Sequence, residues 1–267
     1  MKPCLRNPLR RLILKMLTVP VIAIALPVML LFANANVSAQ AAEVVVTPAI
    51  QAIIDSPDRS DDDRETDQRR EPAKMLAFFG VESGMTALDI GTGQGYTAEL
   101  LARSVAPGGS VVAQNDSIID EKFLKGNVPS RFGEEVMRNV TYVVLPYDDP
   151  IPPGAGPFDL ITVMFVYHDM EWLGRDRAAM NRLFFNALKP GGHVVVVDHA
   201  GNPGTGVSQS KTTHRIEEQV VRDEFTAAGF ELVGEAAFLR NPDDPRTESF
   251  RQMDLPSDRF VLKFRRP

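Results

Sequence analysis

The stretch Leu88-Asp89-Ile90-Gly91-Thr92-Gly93-Gln94-Gly95-Tyr96 decides the fold of this chain. Its three glycines stand at alternate positions between a short apolar run and a helical pattern, so the backbone can turn sharply there. The bare backbone lets a ligand approach closely, and the N–H groups that open the following helix favour an anionic ligand group. The stretch therefore predicts a ligand-binding turn between a first strand and a helix.

Two common phosphate-binding loops do not fit this stretch. A dinucleotide-binding loop requires G-x-G-x-x-G, but Tyr96 stands where its last glycine would be. A Walker loop requires a following Gly-Lys-Ser/Thr, which is absent from this stretch. The turn is therefore not shaped for a pyrophosphate.

Apolar runs bounded by turn residues alternate with helical patterns along the chain. Strands are predicted at residues 85–90, 110–113, 140–145, 160–166, 194–197, 231–239 and 259–264, and helices at 71–79, 96–105, 120–138, 175–188 and 216–228. Nearly continuous apolar runs indicate parallel strands covered on both faces, and the alternation indicates right-handed crossovers. The sequence predicts an α/β fold with a doubly wound, mostly parallel sheet, whose last two strands pair antiparallel.

The composition limits the possible partners. The 267 residues are 44% hydrophobic and 24% charged, which is typical of a globular protein. The single cysteine, Cys4, excludes a disulfide framework, a cysteine-ligated zinc site and an iron–sulfur cluster. Five of the 29 basic residues lie within residues 1–42, which contain no acidic residue, so the rest of the chain has a net charge of −11. A body this acidic repels polyphosphates, so we expect no nucleic-acid partner.

Residues 1–39 have the pattern of an export signal. A basic segment precedes an uncharged apolar run over 16–32, and small residues before position 40 suit cleavage after Ala39. The alternative is an uncleaved membrane anchor, although Pro20 and Pro27 interrupt the run. In both cases we expect the body to be exported to the periplasm, with membrane contact only through a retained leader. Residues 40–66 are predicted to form a linker and N-terminal segment, solvated over 55–63, before a domain at 67–267.

Asp89, Gly91, Gly93 and Gly95 resemble the first motif of the class I S-adenosylmethionine-dependent methyltransferases, an acidic residue followed by G-x-G-x-G. Phe158-Asp159-Leu160-Ile161 is similar to the fourth strand of that family, and Leu188-Lys189-Pro190-Gly191-Gly192 to the turn before its fifth. The resemblance covers about residues 70–265 and implies a seven-stranded, Rossmann-like sheet with an antiparallel last strand. Phrases such as Tyr167-His168-Asp169 and Thr213-His214-Arg215-Ile216 are similar to a group of exported predicted methyltransferases.

The resemblance also implies a site for the cofactor, S-adenosyl-L-methionine. The glycine loop with Thr92 would hold its amino-acid end, and Asp89 occupies the acidic position that orders it. The family binds the ribose with an acidic residue at the end of the second strand, where this chain has Asn115, followed by Asp116. An amide offers one acceptor oxygen where a carboxylate offers two, so a weaker ribose contact is expected. Asp148 is expected either near the adenine or in a solvated turn.

Candidate reacting groups follow the predicted fourth and fifth strands, since ligands bind outside the carboxyl ends of parallel strands. His168 and Asp169 follow the fourth strand, His199 follows the fifth, and His214 precedes a later helix. His168 is our candidate for a general base, with Asp169 and His199 as further catalytic candidates. The histidines could instead form a metal site with an aspartate, or order the loops through hydrogen bonds. Their spacing matches no compact ligand motif, so no metal is predicted.

These features predict an enzyme that transfers a methyl group from S-adenosylmethionine to an unidentified small-molecule substrate. Methyl transfer is an in-line displacement that needs positioning, and also a base when the acceptor carries a proton. The body lacks cysteine, which excludes a thiolate-based cytosine-C5 mechanism. Two alternatives stay open: a noncatalytic exported binding module that retains the fold, and a metal-dependent hydrolase at the same strand ends.

Overall fold

A computed structural model describes residues 44–267, so the leader predicted at residues 1–39 lies outside the described residues. In this part of the chain a seven-stranded sheet comprises β1 (Thr86–Ile90), β2 (Ser110–Asn115), β3 (Val140–Val144), β4 (Phe158–Met164), β5 (Leu188–His199), β6 (Glu231–Ala236) and β7 (Arg259–Arg265). The longer helices are α1 (Pro48–Ile54), α2 (Asp61–Arg70), α3 (Pro72–Phe79), α4 (Tyr96–Val105), α5 (Arg177–Ala187) and α6 (Glu218–Ala227). Short helical segments cover Ser117–Ile119, Asp120–Leu124, Ser130–Gly133, Glu135–Met137 and Asp169–Trp172.

The sheet has the order β3-β2-β1-β4-β5-β7-β6. Strands β1 to β5 are parallel, and β7 pairs antiparallel with both β5 and β6. The predicted fold class is confirmed, including the antiparallel pairing of the last two strands. Because the parallel strands share one direction, the glycine loop after β1 and the residues after β4 and β5 meet at the same edge of the sheet.

Alternate residues of the central strands belong to two hydrophobic cores. In β5, Val194 and Val196 pack in one core, and Val195 and Val197 pack in the other. Helices α3 and α4 contribute to the core of Val195, and α5 and α6 contribute to the core of Val194. Period-two alternation with both faces buried is the reason that these strands read as continuous apolar runs.

Helix α2 corrects the prediction of a solvated linker over residues 55–63. Its sequence DDDRETDQRR contains no apolar side chain, so hydrophobic periodicity could not reveal it. Ser60 caps its N-terminus, its first turn is acidic, and its last turn is basic, which suits the helix dipole. The helix is held by ion pairs instead of a hydrophobic stripe, and both Arg59 and Asp63 are buried.

The helix predicted over residues 120–138 is wrong. Only short helical segments form there, because Gly126, Pro129 and Gly133 interrupt the pattern. Lys125 and Gly126 adopt positive φ angles of 55° and 69°, which end the Asp120–Leu124 segment. None of the helices described within residues 44–267 is long and apolar enough to cross a membrane.

Candidate functional site

A cavity of about 1070 Å³ opens at the edge of the sheet where β1, β4 and β5 end. This volume is at the upper end of the usual range for ligand pockets, roughly 300–1,000 Å³. Its walls come from the glycine loop, helix α2, residues 129–134, the end of β4, His199, and residues 250–259. Segments distant in sequence therefore enclose one space beside the loop that the sequence singled out.

The glycine loop lines this cavity through Gly91, Thr92 and Gly93. A Cβ atom at Gly91 would lie 2.6 Å from Val166, so only glycine fits there. Gly93 has a φ of 58°, and a Cβ there would meet nothing within 4 Å. Gly95 does not line the cavity, since Phe132 and Arg131 cover it. The open backbone is thus the part of the loop around Gly93.

Asp89 lies behind the loop and is fully buried. Its Oδ1 accepts a 2.7 Å hydrogen bond from Thr162, but its Oδ2 has no partner among the described residues. Oγ1 of Thr92 is also buried without a partner in this part of the chain. Burial raises the pKa of Asp89 to about 6. Thr92 lines the cavity, whereas Asp89 lies behind it and does not, so Oγ1 of Thr92 is the atom of the two that a ligand in the cavity can reach.

Asn115 does not lie in the cavity, contrary to its predicted role toward a ribose. Its Oδ1 accepts from the N–H of Gly93 at 2.8 Å, and its Nδ2 donates to the carbonyl of Gly93 at 3.0 Å. Nδ2 also lies 3.1 Å from the hydroxyl of Tyr142. The side chain is fully buried, so its hydrogen-bonding capacity is used by the protein itself.

Asp116 and Asp148 are likewise engaged away from the cavity. The fully buried Asp116 accepts from the backbone N–H of Tyr147 at 2.9 Å and from Arg175 at 2.9 Å. Asp148 lies 3.7 Å from the same arginine. The predicted contacts of these two carboxylates with the nucleoside are therefore corrected to an ion-paired cluster around Arg175.

His168, the predicted general base, does not line the cavity. Its Nδ1 lies 2.7 Å from Oδ1 of Asp198, and its Nε2 lies 3.1 Å from Oδ1 of Asp169. Burial opposes the charged form, but the two carboxylates raise the pKa of His168 to about 10. Each ring nitrogen faces a carboxylate oxygen, and this arrangement favours the protonated form of the ring.

Asp169 contacts His168, although neighbouring residues of an extended strand point to opposite faces. Strand β4 ends at Met164, and Asp169 begins a helical turn, so strand alternation no longer applies. Asp169 also accepts from Nε1 of Trp172 at 2.6 Å and lies 3.5 Å from Nδ1 of His214. The side chains of His168, Asp169 and His214 each have a potential metal-ligand atom, and these atoms lie within 4.8 Å of one another. His199 does not belong to this group. Both ring nitrogens of His168 face carboxylate oxygens, which is also the geometry of an ion pair.

His199 is the catalytic candidate that the structure places on the cavity wall. Its Nδ1 lies 2.7 Å from Oγ of Ser257, and its ring stacks on Phe250 at 4.1 Å with an interplanar angle of 6°. Burial, together with the charges of His168 and Arg259, holds the pKa of His199 well below its usual value. The ring is neutral, and in the tautomer that donates Nδ1–H to Ser257, Nε2 carries a lone pair.

Two arginines that sequence reasoning missed line the same cavity. The guanidinium carbon of Arg70, at the end of α2, lies 4.8 Å from the ring centre of Phe165 and 5.2 Å from that of Tyr96. The guanidinium carbon of Arg259, at the start of β7, lies 5.7 Å from the ring centre of Phe165. Arg70 was hidden in a charge-rich run, and no sequence signal associates Arg259 with the glycine loop.

Helix α2 is fixed in the cavity wall by Arg131. The two terminal nitrogens of Arg131 donate to the two carboxylate oxygens of Asp63 at 2.6 and 2.7 Å. Arg131 also donates to Glu99 of α4 at 2.5 Å. One side chain therefore connects α2, α4 and residues 129–134, and a bidentate pair fixes orientation as well as distance.

Comparisons with known proteins agree with this fold. The methyltransferase domain family matches residues 64–235. A SAM-dependent methyltransferase from Aquifex aeolicus is 19% identical, with a TM-score of 0.54, over 77% of this chain and 97% of the other. A counterpart from Mesorhizobium loti is 18% identical, with a TM-score of 0.52, over 73% and 97%. The [4+2]-cyclase SpnF is 15% identical, with a TM-score of 0.51, over 77% and 80%. No curated protein matches the chain.

Proposed function

We propose, because the chain belongs to the methyltransferase domain family, that it uses S-adenosylmethionine to transfer a methyl group to a small-molecule acceptor. The observation that carries the proposal is that the open backbone around Gly93 and the neutral ring of His199 line one cavity. A cofactor site and a proton acceptor are therefore adjacent. The fold alone does not establish this activity, since a similar structure is that of a cyclase.

The residues beside the glycine loop fit the amino-acid end of this cofactor. The unpartnered Oδ2 of Asp89 is suited to a nearby amine, and Arg70 lies close to the loop through its contact with Tyr96. Gly93 leaves space for the ligand. These groups offer opposite charges to the amine and carboxylate of an amino acid, which favours one orientation.

The nucleoside end has a different arrangement from the one that the resemblance implied. Asn115, Asp116 and Asp148 are all bonded to protein groups. We therefore assign no ribose or adenine contact to these three residues. The proposal depends on the amino-acid end of the cofactor and on the adjoining cavity.

His199 is the residue that we propose as the proton acceptor. When bound, S-adenosylmethionine supplies an electrophilic methyl group on a sulfonium. For an acceptor with an O–H or N–H group, Nε2 of His199 takes the proton. His168 serves as a positioning residue: its ion pair with Asp198 connects the ends of β4 and β5, and its ring centre lies 5.9 Å from that of His199. The positive charge of His168 helps to keep His199 neutral.

Calorimetric titration of the full chain with S-adenosylmethionine and S-adenosylhomocysteine tests the proposal. We expect binding, and we expect Gly93→Ala to weaken it by about tenfold, since a methyl group enters the ligand space. Gly126→Ala is the matched control, because Gly126 also has a positive φ and open space, yet lies outside the cavity wall. Absence of binding by the folded wild-type chain would contradict the proposal, as would equal weakening by both variants.

Turnover requires a separate measurement. We propose to incubate the full chain with cofactor carrying a deuterated methyl group and a small-molecule extract, followed by mass spectrometry. Labelled product supports an enzyme, and cofactor binding without labelled product favours the noncatalytic alternative, which the comparisons do not support.

Export to the periplasm is part of the proposal on the basis of the leader predicted at residues 1–39. Cell fractionation with determination of the mature N-terminus tests it. A soluble periplasmic chain that begins near residue 40 is expected, and an intact N-terminus in the cytoplasmic fraction would contradict export.

A further inference from the structure

Of the arginines on the cavity wall, Arg69, Arg70 and Arg259 form no ion pair with a carboxylate of the described residues, and Arg69 is exposed to solvent. Arg259 is 8% exposed and donates Nε to the carbonyl of Ser257 and Nη1 to that of Arg69. A guanidinium has five N–H donors, so three of those on Arg259 have no partner in the described part of the chain. The half-buried side chain of Arg70 donates no hydrogen bond to any residue within 44–267.

Three acidic side chains that adjoin these arginines in the chain are paired with other cations. Asp258 precedes Arg259, Glu71 follows Arg70, and Asp67 lies one turn before Arg70 on α2. Each pairs elsewhere: Asp258 with Arg240 and Arg246, Glu71 with Lys74, and Asp67 with Arg59. Of the remaining carboxylates on the cavity wall, Asp63 is paired with Arg131, and the others are exposed: Asp62, Glu134 and Asp254. The charge of Asp89 acts on Arg70, but no carboxylate of the described residues forms an ion pair with Arg70 or Arg259, so an anionic ligand would find both guanidinium groups unpaired.

The positive charges of the Arg70 and Arg259 guanidinium groups also repel each other. Both carbons lie within 6 Å of the ring centre of Phe165. Burial, with the charges of Arg70 and Arg69, lowers the pKa of Arg259 to about 10, and burial also lowers the pKa of Arg70. Two poorly solvated like charges are unfavourable, and a bound anion would offset both the desolvation and the repulsion.

An aromatic wall adjoins the arginines. Phe250 stacks on His199, which pairs across the sheet with Arg259, and the ring of Phe165 lies 5.4 Å from that of His199. Flat aromatic surfaces favour a flat ligand, and a guanidinium recognises a carboxylate or phosphate through paired N–H groups.

We propose that the methyl acceptor is an aromatic oxyanion, whose carboxylate or phosphate group binds Arg259 and whose ring lies against Phe250 and His199. This inference rests on the proposed function and names the substrate class of the same site. The carboxylate of the cofactor is another anion that would bind to the guanidinium of Arg70. Arg259 is assigned to the acceptor because it lies on β7 beside His199, while Arg70 lies against Tyr96 at the glycine loop.

Titration of the full chain with benzoate, with acetate and inorganic phosphate in parallel, tests the oxyanion site. We expect wild type to bind benzoate more tightly than acetate, both alone and with saturating S-adenosylhomocysteine. Arg259→Gln should weaken benzoate binding by about tenfold or more, since a charge-assisted hydrogen bond is lost. Arg265→Gln is the control, because Arg265 lies at the other end of β7 and pairs with Glu231. If Arg259→Gln does not fold, Arg259→Lys replaces it, since an ammonium group cannot form the paired N–H contacts of a guanidinium.

The outcomes separate this inference from the proposed function. Failure of wild type to bind benzoate or phosphate overturns the oxyanion site, as does unchanged binding by the Arg259 variants. Displacement of benzoate by S-adenosylhomocysteine assigns the site to the cofactor carboxylate and overturns the acceptor assignment. Benzoate binding by a chain that does not bind S-adenosylhomocysteine supports the oxyanion site and contradicts the proposed function.

Discussion

The side chain of Asn115 bonds both the N–H and the carbonyl of Gly93, at 2.8 and 3.0 Å. The end of β2 therefore fixes the conformation of the glycine loop before any ligand binds. A loop with preset geometry loses less conformational entropy on binding. Asn115 thus stabilises the loop through its backbone, and its amide has both the acceptor and the donor that this arrangement needs.

Replacement of Asn115 by aspartate tests this relationship. A carboxylate accepts from the N–H of Gly93 but cannot donate to its carbonyl, so we expect the free energy of unfolding to fall by about 1–3 kcal/mol. Urea denaturation measures this, and calorimetry should show weaker binding of S-adenosylhomocysteine. Asn127→Asp, at an exposed position, should change stability by no more than about 0.5 kcal/mol. Tighter cofactor binding by Asn115→Asp would mean that this side chain faces the ribose.

The ion pair of His168 predicts a pH dependence of stability. The pKa of His168 is raised from 6.5 to about 10 in the folded protein, so its contribution is complete below pH 6.5 and is lost as the pH approaches 10. We expect wild type to lose stability across this range more steeply than His168→Gln. At neutral pH the variant should be less stable by about 3–5 kcal/mol, because Asp198 is left buried and unpaired.

His193→Gln is the control for this measurement. Burial lowers the pKa of His193 to about 4, so this histidine is neutral throughout the same range. The control should keep the slope of wild type in denaturation curves recorded at each pH. A wild-type stability that does not change between pH 6.5 and 10 would show that the charged pair is not formed.

Asp89 predicts a pH dependence of cofactor binding. Its pKa is about 6 in the empty protein, and the ionised form attracts the amine of the ligand. Affinity for S-adenosylhomocysteine should therefore rise with pH through about 6 and then level off. Asp89→Asn should abolish this rise in affinity. 5′-Methylthioadenosine, which lacks the amino-acid amine, should not show the rise. Calorimetry from about pH 5 to pH 8 measures it, and a rise for 5′-methylthioadenosine would assign the effect to another group.

The ion pairs of Arg131 are expected to stabilise helix α2 in its place in the cavity wall. Arg131→Gln removes the bidentate pair with Asp63 and the bond to Glu99, so amide hydrogens of residues 61–70 should exchange faster, by about tenfold or more. Arg138→Gln is the control, since the pair of Arg138 with Glu135 is exposed. Equal exchange in both variants would mean that α2 is held by other contacts.

The sequence was sufficient to predict those parts of the structure that depend on the hydrophobic pattern and on the spacing of glycines. The parallel strands, the antiparallel last pair and the open backbone at Gly93 follow from these signals. Helix α2 was missed because it has ion pairs in place of an apolar stripe.

The contacts between side chains at the site could not be predicted from local sequence patterns. The distinction between His168 and His199 depends on Asp198 and Ser257, and Ser257 is 58 residues away from His199 in the chain. Arg259 and Phe250 reach the cavity only because β7 inserts between β5 and β6. Such long-range neighbours leave no periodicity in a single sequence.

The insertion of β7 also divides the cavity between two parts of the chain. The glycine loop lies within the family match at residues 64–235, whereas Phe250 and Arg259 lie beyond it. Hybrid chains that exchange only the segment after residue 235 among relatives should therefore replace the wall that contains Phe250 and Arg259 and keep the glycine loop unchanged.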